Sequence, residues 1–192
     1  MSDIFQILIK SAIVDNVVFI QYLAICPFIG MTSETDKAFG MGVATSFVIL
    51  LATAVTWPIY KLIMVPLHLE FLQTLMFILV IASLVQLVEF FLKKSMPALY
   101  KSMGVYLALI TTNCAVLGVT INCISKNYNY GESLVYALGS ALGFVISMVI
   151  MSGVRSKLKT ANVPQAFKGT PILYVAAGLL SLAFLGFKGL IN

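Results

Sequence analysis

The sequence predicts an all-α integral membrane protein with six transmembrane helices, arranged as two inverted three-helix repeats. Of its 192 residues, 60% are apolar and only 10% are charged, whereas an ordinary soluble domain carries about 25% charged residues. Six apolar runs each reach the length that a helix needs to cross hydrocarbon, about 20 residues. A Cys followed four residues later by a Gly occurs once in each half, at Cys26 and at Cys114. The composition excludes a soluble domain, a disordered tail and a disulfide-stabilised scaffold.

The six apolar runs are separated by polar, basic or turn-forming breaks. They occupy residues of about 4–30, 39–60, 71–92, 102–124, 133–154 and 171–190. Backbone groups inside lipid have to form their hydrogen bonds within the protein, so each run is predicted to be a helix or a set of helical pieces. The breaks are too short for a soluble domain. Residues 1–192 are therefore predicted to form a single membrane domain, with repeat one at about 1–95 and repeat two at about 96–192.

The distribution of Lys and Arg predicts the orientation in the membrane. The face on which the N-terminus lies receives four cations, namely Lys10, Lys61, Lys126 and Lys188. The opposite face receives eight, namely Lys37, Lys93, Lys94, Lys101, Arg155, Lys157, Lys159 and Lys168. Cytoplasmic loops carry the excess of Lys and Arg, so both termini are predicted to lie outside the cytoplasm. The net charge of +5 is interpreted as this topology signal, because the cations form no stripe that would bind nucleic acid.

The two Cys–Gly segments predict how the halves are related. Cys26 and Cys114 are 88 residues apart, close to half the chain, and three runs fall in each half. Three is an odd number, so the second copy enters the membrane upside down, as in inverted-repeat membrane folds. Equivalent residues then lie at equal and opposite depths, and the two Cys can meet only near the midplane. About ten helical residues, half a membrane, lead from Cys114 to Gly104 and to Ile124, both close to polar breaks.

Two arrangements of the first run remain open. In the favoured one, Asp15–Asn16 lies at the outer interface, residues 4–14 form a tilted or interfacial extension, and Cys26 lies near the midplane. In the other, one long helix covers residues 4–25 and places Cys26 at the cytoplasmic edge. Pro27 allows a helix break directly after Cys26.

The cysteines are the candidate ligands of a metal or a cluster. A lone Cys in a membrane helix is usually a small buried apolar residue, but two symmetry-related Cys at one depth favour ligation. Two thiolates cannot complete a zinc or iron–sulfur site, which usually takes four ligands, and the single His, His68, is far from both in sequence. Two further ligands would have to come from another chain. Cys123 follows Cys114 by nine residues, about 13 Å along a helix, which is too far to share a cluster.

Three polar residues in or near the apolar runs are candidates for an ion path, namely Asp15, Gln86 and Glu89. Gln86 and Glu89 are three residues apart and share a helix face. Lys93 follows Glu89 by four residues, so an interfacial ion pair is the favoured interpretation, and an ion path is the alternative. The same two interpretations apply to Asp15.

Several segments resemble the RnfA/NqrE family of membrane subunits. The most specific is Thr-Thr-Asn-Cys-Ala-Val-Leu-Gly at residues 111–118. The segments that carry the resemblance are spread over essentially the whole chain, at 25–30, 38–42, 85–89, 110–118, 163–164 and 178–187. The length and the number of apolar runs are similar as well.

This resemblance implies a membrane subunit of an ion-pumping electron-transfer complex, without activity of its own. Rnf complexes pass electrons between reduced ferredoxin and NAD⁺, coupled to movement of Na⁺ or H⁺, whereas Nqr complexes pass electrons from NADH to quinone with export of Na⁺. An RnfA-type protein is favoured, and an NqrE-type protein is the alternative. The implied surroundings are the lipid of the bacterial or archaeal cytoplasmic (inner) membrane, the B, C, D and G subunits of Rnf, and an inverted sister subunit, RnfE or NqrD.

The resemblance also implies a [2Fe–2S] cluster within the membrane, to which this chain and its sister subunit each give two Cys. Carried over to this sequence, the ligands are Cys26 and Cys114, which agrees with the shortage of two ligands. Residues beside them are candidate hydrogen-bond donors to the cluster, namely Gly30, Thr111, Thr112, Asn113 and Gly118. The equally weighted alternative is that these residues only satisfy broken backbone.

A self-contained inverted-repeat transporter is the alternative function of another class. Such a protein would be expected to place several polar or charged groups near the midplane, where this sequence offers Cys, Thr and Asn. A purely structural scaffold leaves the symmetric Cys pair unexplained. The electron relay is therefore the favoured interpretation.

Overall fold

The computed structural model describes residues 2–67, 70–95, 109–161 and 163–190. Within these ranges every regular element is a helix, which confirms the prediction of an all-α protein. The α-helices of seven residues or more are, in chain order, α1 (Ser2–Ile9), α2 (Ile25–Met31), α3 (Thr35–Ile59), α4 (Gln73–Ser95), α5 (Cys114–Ser125), α6 (Tyr130–Thr160) and α7 (Thr170–Leu190).

Shorter turns extend or precede these helices. π-Helical turns continue α1 through Lys10–Val14 and α3 through Tyr60–Met64, and Val65–Leu67 adds a further α-helical turn. The 3₁₀ turns Glu70–Leu72 and Gln165–Phe167 lie before α4 and α7.

Among the described residues, three helices are long and apolar enough to cross a membrane. They are Thr35–Met64 with 30 residues, Gln73–Phe90 with 18 and Tyr130–Thr160 with 31. Three shorter apolar helical segments of 10–17 residues accompany them, namely Ile4–Val14, Leu109–Ser125 and Thr170–Gly186. Each of the six apolar runs thus contains an apolar helix, while six complete spans stay a prediction. Gly104, Lys101 and His68 lie outside the described residues.

The two longest helices, α3 and α6, form the centre of the fold. Met41 of α3 and Phe144 and Met148 of α6 are at most 1% exposed. Gly42 lets the helices approach closely, because a Cβ added there would lie 3.3 Å from Cγ2 of Val145. Water does not drive helices together inside lipid, so close packing through small residues is what stabilises such a contact.

Helix α1 and its π-helical turn pack along the first half of α6. Two glycines of α6 make this possible. A Cβ at Gly139 would lie 2.7 Å from the carbonyl oxygen of Leu8, and a Cβ at Gly143 would lie 2.6 Å from that of Ala12. Backbone oxygens cannot move away cheaply, so the contact depends on glycine at both positions.

The first apolar run is broken after its first helix. The chain is helical to Val14 and irregular over residues 15–24, so the expectation of one helix over residues 4–25 is wrong. Asn16 is 1% exposed and bonded to Gly143, which lies 13 residues from the start of α6 and 17 from its end. The glycine contact places α1 lengthwise against α6 and buries Asn16 there. The position of Asp15–Asn16 at the outer interface and that of Cys26 near the midplane stay predictions.

The side chain of Asn16 satisfies the broken backbone after α1. Its Nδ2 donates to the carbonyl oxygens of Ala12 at 3.2 Å and Gly143 at 3.0 Å. Its Oδ1 accepts from the N–H of Val18 at 3.0 Å and from the hydroxyl of Ser147 at 3.1 Å. Buried polar groups in a membrane protein have to be paired, and this one amide joins the end of α1 to the middle of α6.

Helix α7 holds the irregular segment from the other side. The Ser181 hydroxyl donates to the carbonyl oxygen of Phe19, and the Phe19 ring stacks on Phe184 with centroids 4.4 Å apart. Tyr22 and Ala24 have positive φ angles of 54° and 62°, a region that residues other than glycine rarely adopt. Tertiary packing therefore maintains a strained backbone immediately before α2.

Candidate functional site

The two candidate ligands lie in the first turns of two helices. Cys26 is the second residue of α2 and is exposed, and Cys114 is the first residue of α5 and is half-buried. The Sγ of Cys114 accepts a hydrogen bond from the backbone N–H of Ala24 at 2.8 Å. Because Ala24 precedes Cys26 by two residues, the two segments that carry the cysteines are in direct contact.

Helices α2 and α5 begin at this contact and run towards opposite ends of α6. Arg155, near the C-terminal end of α6, donates to the carbonyl oxygen of Ile29 at 2.6 Å and to Oγ1 of Thr32 at 3.3 Å. At the end of α5, Nζ of Lys126 lies 4.7 Å from the ring centroid of Tyr136, near the start of α6. Along the axis of α6, the turns that carry Cys26 and Cys114 therefore lie between its two ends.

Asn113 caps α5 immediately before Cys114. Its Oδ1 accepts the N–H of Ala115 at 3.0 Å, and the residue is 5% exposed. Its Nδ2 is buried, and none of the residues that the structure describes accepts a hydrogen bond from it. In the preceding turn, Thr111 is half-buried and Thr112 is exposed. The cap thus presents an unpaired N–H group beside a candidate ligand.

The two glycines that follow the cysteines by four residues have different surroundings. A Cβ at Gly118 would collide with the side chain of Leu23, so this glycine allows the irregular segment to pack on α5. A Cβ at Gly30 would meet nothing within 4 Å, and Gly30 is exposed. Cys26 and Gly30 are one helical turn apart and share an exposed face of α2.

The donor set around Cys26 and Cys114 is incomplete within the described part of this chain. No group of three or more His, Cys, Asp or Glu side chains there could hold a metal ion. Cys123 is 1% exposed, and its thiol donates to the carbonyl oxygen of Ser133 at 3.7 Å, as an inert buried Cys would. Two thiols fit half of the four-cysteine set of a [2Fe–2S] cluster. The exposed side of Cys26 is where further thiolates could approach.

Asp15, a candidate for an ion path, forms an ion pair. Its Oδ2 lies 3.1 Å from Nζ of Lys126, and the two side chains are 15% and 36% exposed. Burial lowers the pKa of Lys126, but the neighbouring Tyr136 and Asp15 more than offset this, and the pKa is raised overall. Lys126 therefore stays protonated at neutral pH, which favours the structural interpretation of Asp15.

The other two ion-path candidates lie on a different element, α4. Gln86 is exposed and Glu89 is half-buried. The side chain of Lys93 lies outside the described part of the structure, so the expected ion pair with Glu89 stays a prediction. Helix α4 packs against α3 and α5, whereas Asp15 contacts the residue that follows α5.

Sequence reasoning missed several residues that shape the site. Asn16 holds the break before α2, Arg155 binds the end of α2, and Gln21 accepts a hydrogen bond from Nδ2 of Asn122 at 2.9 Å beside α5. Asn16, Gln21 and Asn122 could have been recognised from the sequence, because each is an amide side chain inside an apolar run, where it needs a hydrogen-bond partner. Arg155 carries no such signal, because its cation also fits a cytoplasmic loop.

Comparison with known proteins assigns the chain to a family. The family model described as "Rnf-Nqr subunit, membrane protein" matches residues 4–191. A relative from Syntrophotalea carbinolica, named as the A subunit of an ion-translocating oxidoreductase complex, is 48% identical over 191 residues, which cover 100% of this chain and 99% of the relative. A relative of the same name from Azoarcus sp. is 50% identical over 192 residues, with 100% of each chain covered. A relative from Acetobacterium woodii, named as the A subunit of a Na(+)-translocating ferredoxin:NAD(+) oxidoreductase complex, is 50% identical over 184 residues, with 96% of each chain covered.

Proposed function

The chain belongs to the Rnf-Nqr family of membrane subunits, and from this premise we propose a function in electron relay. It is an RnfA-type subunit of an ion-translocating oxidoreductase complex, since relatives over its full length are named as the A subunits of such complexes. The relay runs through a [2Fe–2S] cluster that Cys26 and Cys114 hold together with two ligands of a sister subunit. Electron flow is between reduced ferredoxin and NAD⁺ and is coupled to transport of Na⁺ or H⁺.

The hydrogen bond from Ala24 N–H to Cys114 Sγ carries this proposal. It brings the segments that carry Cys26 and Cys114, one from each half of the chain, into contact at one junction, and it fixes the orientation of the Cys114 side chain. A backbone N–H also stabilises negative charge on sulfur, and the N-terminus of α5 acts in the same direction. Cys26 and Cys114 would hold the cluster, which supplies one-electron transfer when bound.

The exposed face of α2 supports a shared cluster. Cys26 and Gly30 lie on this face, and no side chain of the described residues lies within 4 Å of a Cβ built at Gly30. The two thiols are half of the four-cysteine ligand set of a [2Fe–2S] cluster, so another chain has to supply the other half. The partner is an RnfE-like sister subunit that covers this face, and the B, C, D and G subunits complete the complex.

The order and lengths of the helices support six spans in two inverted repeats. The spans Thr35–Met64 and Tyr130–Thr160 have 30 and 31 residues, and each follows a short helix that carries a Cys in its first turn. The apolar segments Gln73–Phe90 and Thr170–Gly186 then follow in the same order. Helices α2 and α5 run in opposite directions from their contact, as the two halves of an inverted repeat do.

The end of α6 that carries Arg155 is the cytoplasmic one in this proposal. Besides Arg155, Lys159 binds backbone there, with its Nζ 3.1 Å from the carbonyl oxygen of Ser33. Most Lys and Arg residues of the chain lie on this side of the membrane, and cytoplasmic loops carry such an excess. The membrane is the bacterial or archaeal cytoplasmic (inner) membrane. Both termini then lie outside the cytoplasm.

Substitution of the cysteines in the purified complex tests the proposal. We expect Cys26→Ser and Cys114→Ser to remove the cluster and to stop electron transfer from ferredoxin to NAD⁺. The measurement is iron per complex and the electron paramagnetic resonance signal of the reduced cluster. Cys123→Ser is the matched control, because this thiol is buried against Ser133 and away from the junction, and it should keep both. A Cys26→Ser complex with full iron content and full activity would falsify the proposal.

The electron donor separates the two branches of the family. An Rnf complex oxidises reduced ferredoxin, whereas reduction of quinone by NADH with Na⁺ export would identify an NqrE-type protein. Solute uptake by the isolated protein in vesicles, without redox partners, would instead identify a self-contained transporter.

A further inference from the structure

The cap of α5 contains a buried polar group, the side-chain amide of Asn113, whose hydrogen-bond acceptor the relay described above leaves open. The Oδ1 of Asn113 accepts the N–H of Ala115 at 3.0 Å. Only the oxygen of a carboxamide can accept, so this bond fixes which end of the group is nitrogen. The Nδ2 atom faces away from that N–H, is buried, and has no acceptor among the described residues.

An unpaired buried amide is unusual, since folded proteins pair nearly all of them. Inside a membrane there is no bulk water to replace the missing partner. The other buried side-chain atoms without a partner in the described part of the chain are hydroxyls, those of Thr45, Ser133 and Ser140. A hydroxyl hydrogen rotates freely, but the capped carboxamide of Asn113 cannot turn. A fixed donor of this kind indicates an acceptor outside the described residues.

The position of Asn113 indicates that this acceptor is sulfur. Asn113 directly precedes Cys114 in the chain, and the Sγ of Cys114 already accepts a hydrogen bond from the backbone N–H of Ala24 at 2.8 Å. On the other side of the junction, the residue that caps α2 is Ala24, which has no polar side-chain atom. The cap before Cys114 therefore carries a side-chain donor, and the cap before Cys26 does not.

We propose that Nδ2 of Asn113 donates a hydrogen bond to a sulfur atom of the shared iron–sulfur cluster and raises its reduction potential. This inference rests on the proposed function. Reduction adds negative charge to a cluster, and a hydrogen bond to sulfur stabilises that charge. Because Asn113 is buried, the bond stabilises the reduced form more than it would at an exposed site.

Two substitutions remove the donor and leave a residue that is tolerated at a helix N-cap. Asn113→Asp retains an oxygen that can accept the Ala115 N–H, and Asn113→Gly keeps a residue type that is common at caps; at neutral pH neither side chain has a hydrogen to donate. Redox titration of the purified complex, followed by electron paramagnetic resonance, measures the midpoint potential and the cluster content. We expect unchanged cluster content and a several-fold lower ratio of reduced to oxidised cluster at the wild-type midpoint. The effect should be larger for Asp, because its negative charge adds to the loss of the donor.

A matched control lies on the next helix. Asn129 caps α6 with the reciprocal bond from its own N–H to Glu132 at 3.0 Å, at an exposed position. Asn129→Asp changes the same chemical group at another cap, and it should leave the midpoint at the wild-type value. Pulsed resonance should also detect an exchangeable proton near the cluster that both Asn113 variants lack.

The possible failures are distinguishable. A wild-type midpoint and an unchanged set of exchangeable-proton couplings in either Asn113 variant, with cluster content intact, overturn the hydrogen bond; the coupling of the Ala24 N–H is expected to persist in both variants. Absence of a cluster from the wild-type complex overturns the proposed function instead. Each of the two variants decides alone if the other does not assemble.

Discussion

The two cysteine-bearing helices follow two breaks of very different construction. Before α2 the chain leaves helical geometry for ten residues, 15–24, two of them with positive φ. Before α5 the interruption is only Thr112 and Asn113. The long break is held by other helices, through the bond from Asn16 to Gly143 of α6 and the bond from Ser181 of α7 to Phe19. The short break is capped locally by Asn113.

This difference shows that equivalent positions for two ligands do not require equivalent packing. The long break depends on tertiary contacts, so changes there should act on the stability of the whole protein. The short break depends on its own cap, so changes there should act on the surroundings of Cys114 and leave stability nearly unchanged. Three substitutions around the long break test the first half of this comparison.

The largest effect is expected for Asn16→Ala. It leaves the N–H of Val18 without its side-chain acceptor and removes the bond to the carbonyl oxygen of Gly143, which keeps the hydroxyl of Ser147. A buried group without a partner costs about 1–3 kcal/mol, so the free energy of unfolding should fall by about 3 kcal/mol. Thermal unfolding of the purified complex measures the change. Asn129→Ala is the control, since loss of an exposed cap costs about 1 kcal/mol. Equal losses in the two variants would show that the long break does not depend on α6.

A smaller effect is expected for Gly143→Ala. The new Cβ would lie 2.6 Å from the carbonyl oxygen of Ala12, so α1 has to shift away from α6. Overpacking of this kind costs about 1–3 kcal/mol, and we expect about 2 kcal/mol. Gly153→Ala on the same helix is the control, because its Cβ would meet nothing within 4 Å. Alanine favours a helix over glycine by up to about 1 kcal/mol, so the control should be stabilised. Stabilisation of both variants would contradict the close contact of α1 with α6.

The smallest effect is expected for Asp15→Asn. This substitution removes the ion pair with Lys126, whose side chain is 36% exposed. Solvent screens such a pair, so the loss should stay below about 1 kcal/mol and should shrink further at high salt. Redox-driven ion transport by the complex in vesicles should match the wild type. Loss of transport in a fully assembled Asp15→Asn complex would assign Asp15 to an ion path and refute the structural interpretation.

The sequence by itself determined the class of protein and the residues of the junction. A charged fraction of 10% cannot cover a soluble surface, so membrane helices follow from composition alone. The spacing of Cys26 and Cys114 singled out the two residues that the structure brings to one junction. Such patterns can be detected because hydrophobicity and repetition are properties of the chain itself.

Only the tertiary structure decided how the long break before α2, residues 15–24, is built. The sequence pattern does not show that the backbone of α1 packs against Gly139 and Gly143, because a glycine in a helix does not indicate which element it contacts. The length of the break after Val14 depends on that contact, and so does the burial of Asn16. The unpaired Nδ2 of Asn113 was likewise hidden from the sequence. Whether a buried amide is satisfied depends on which atoms fold around it.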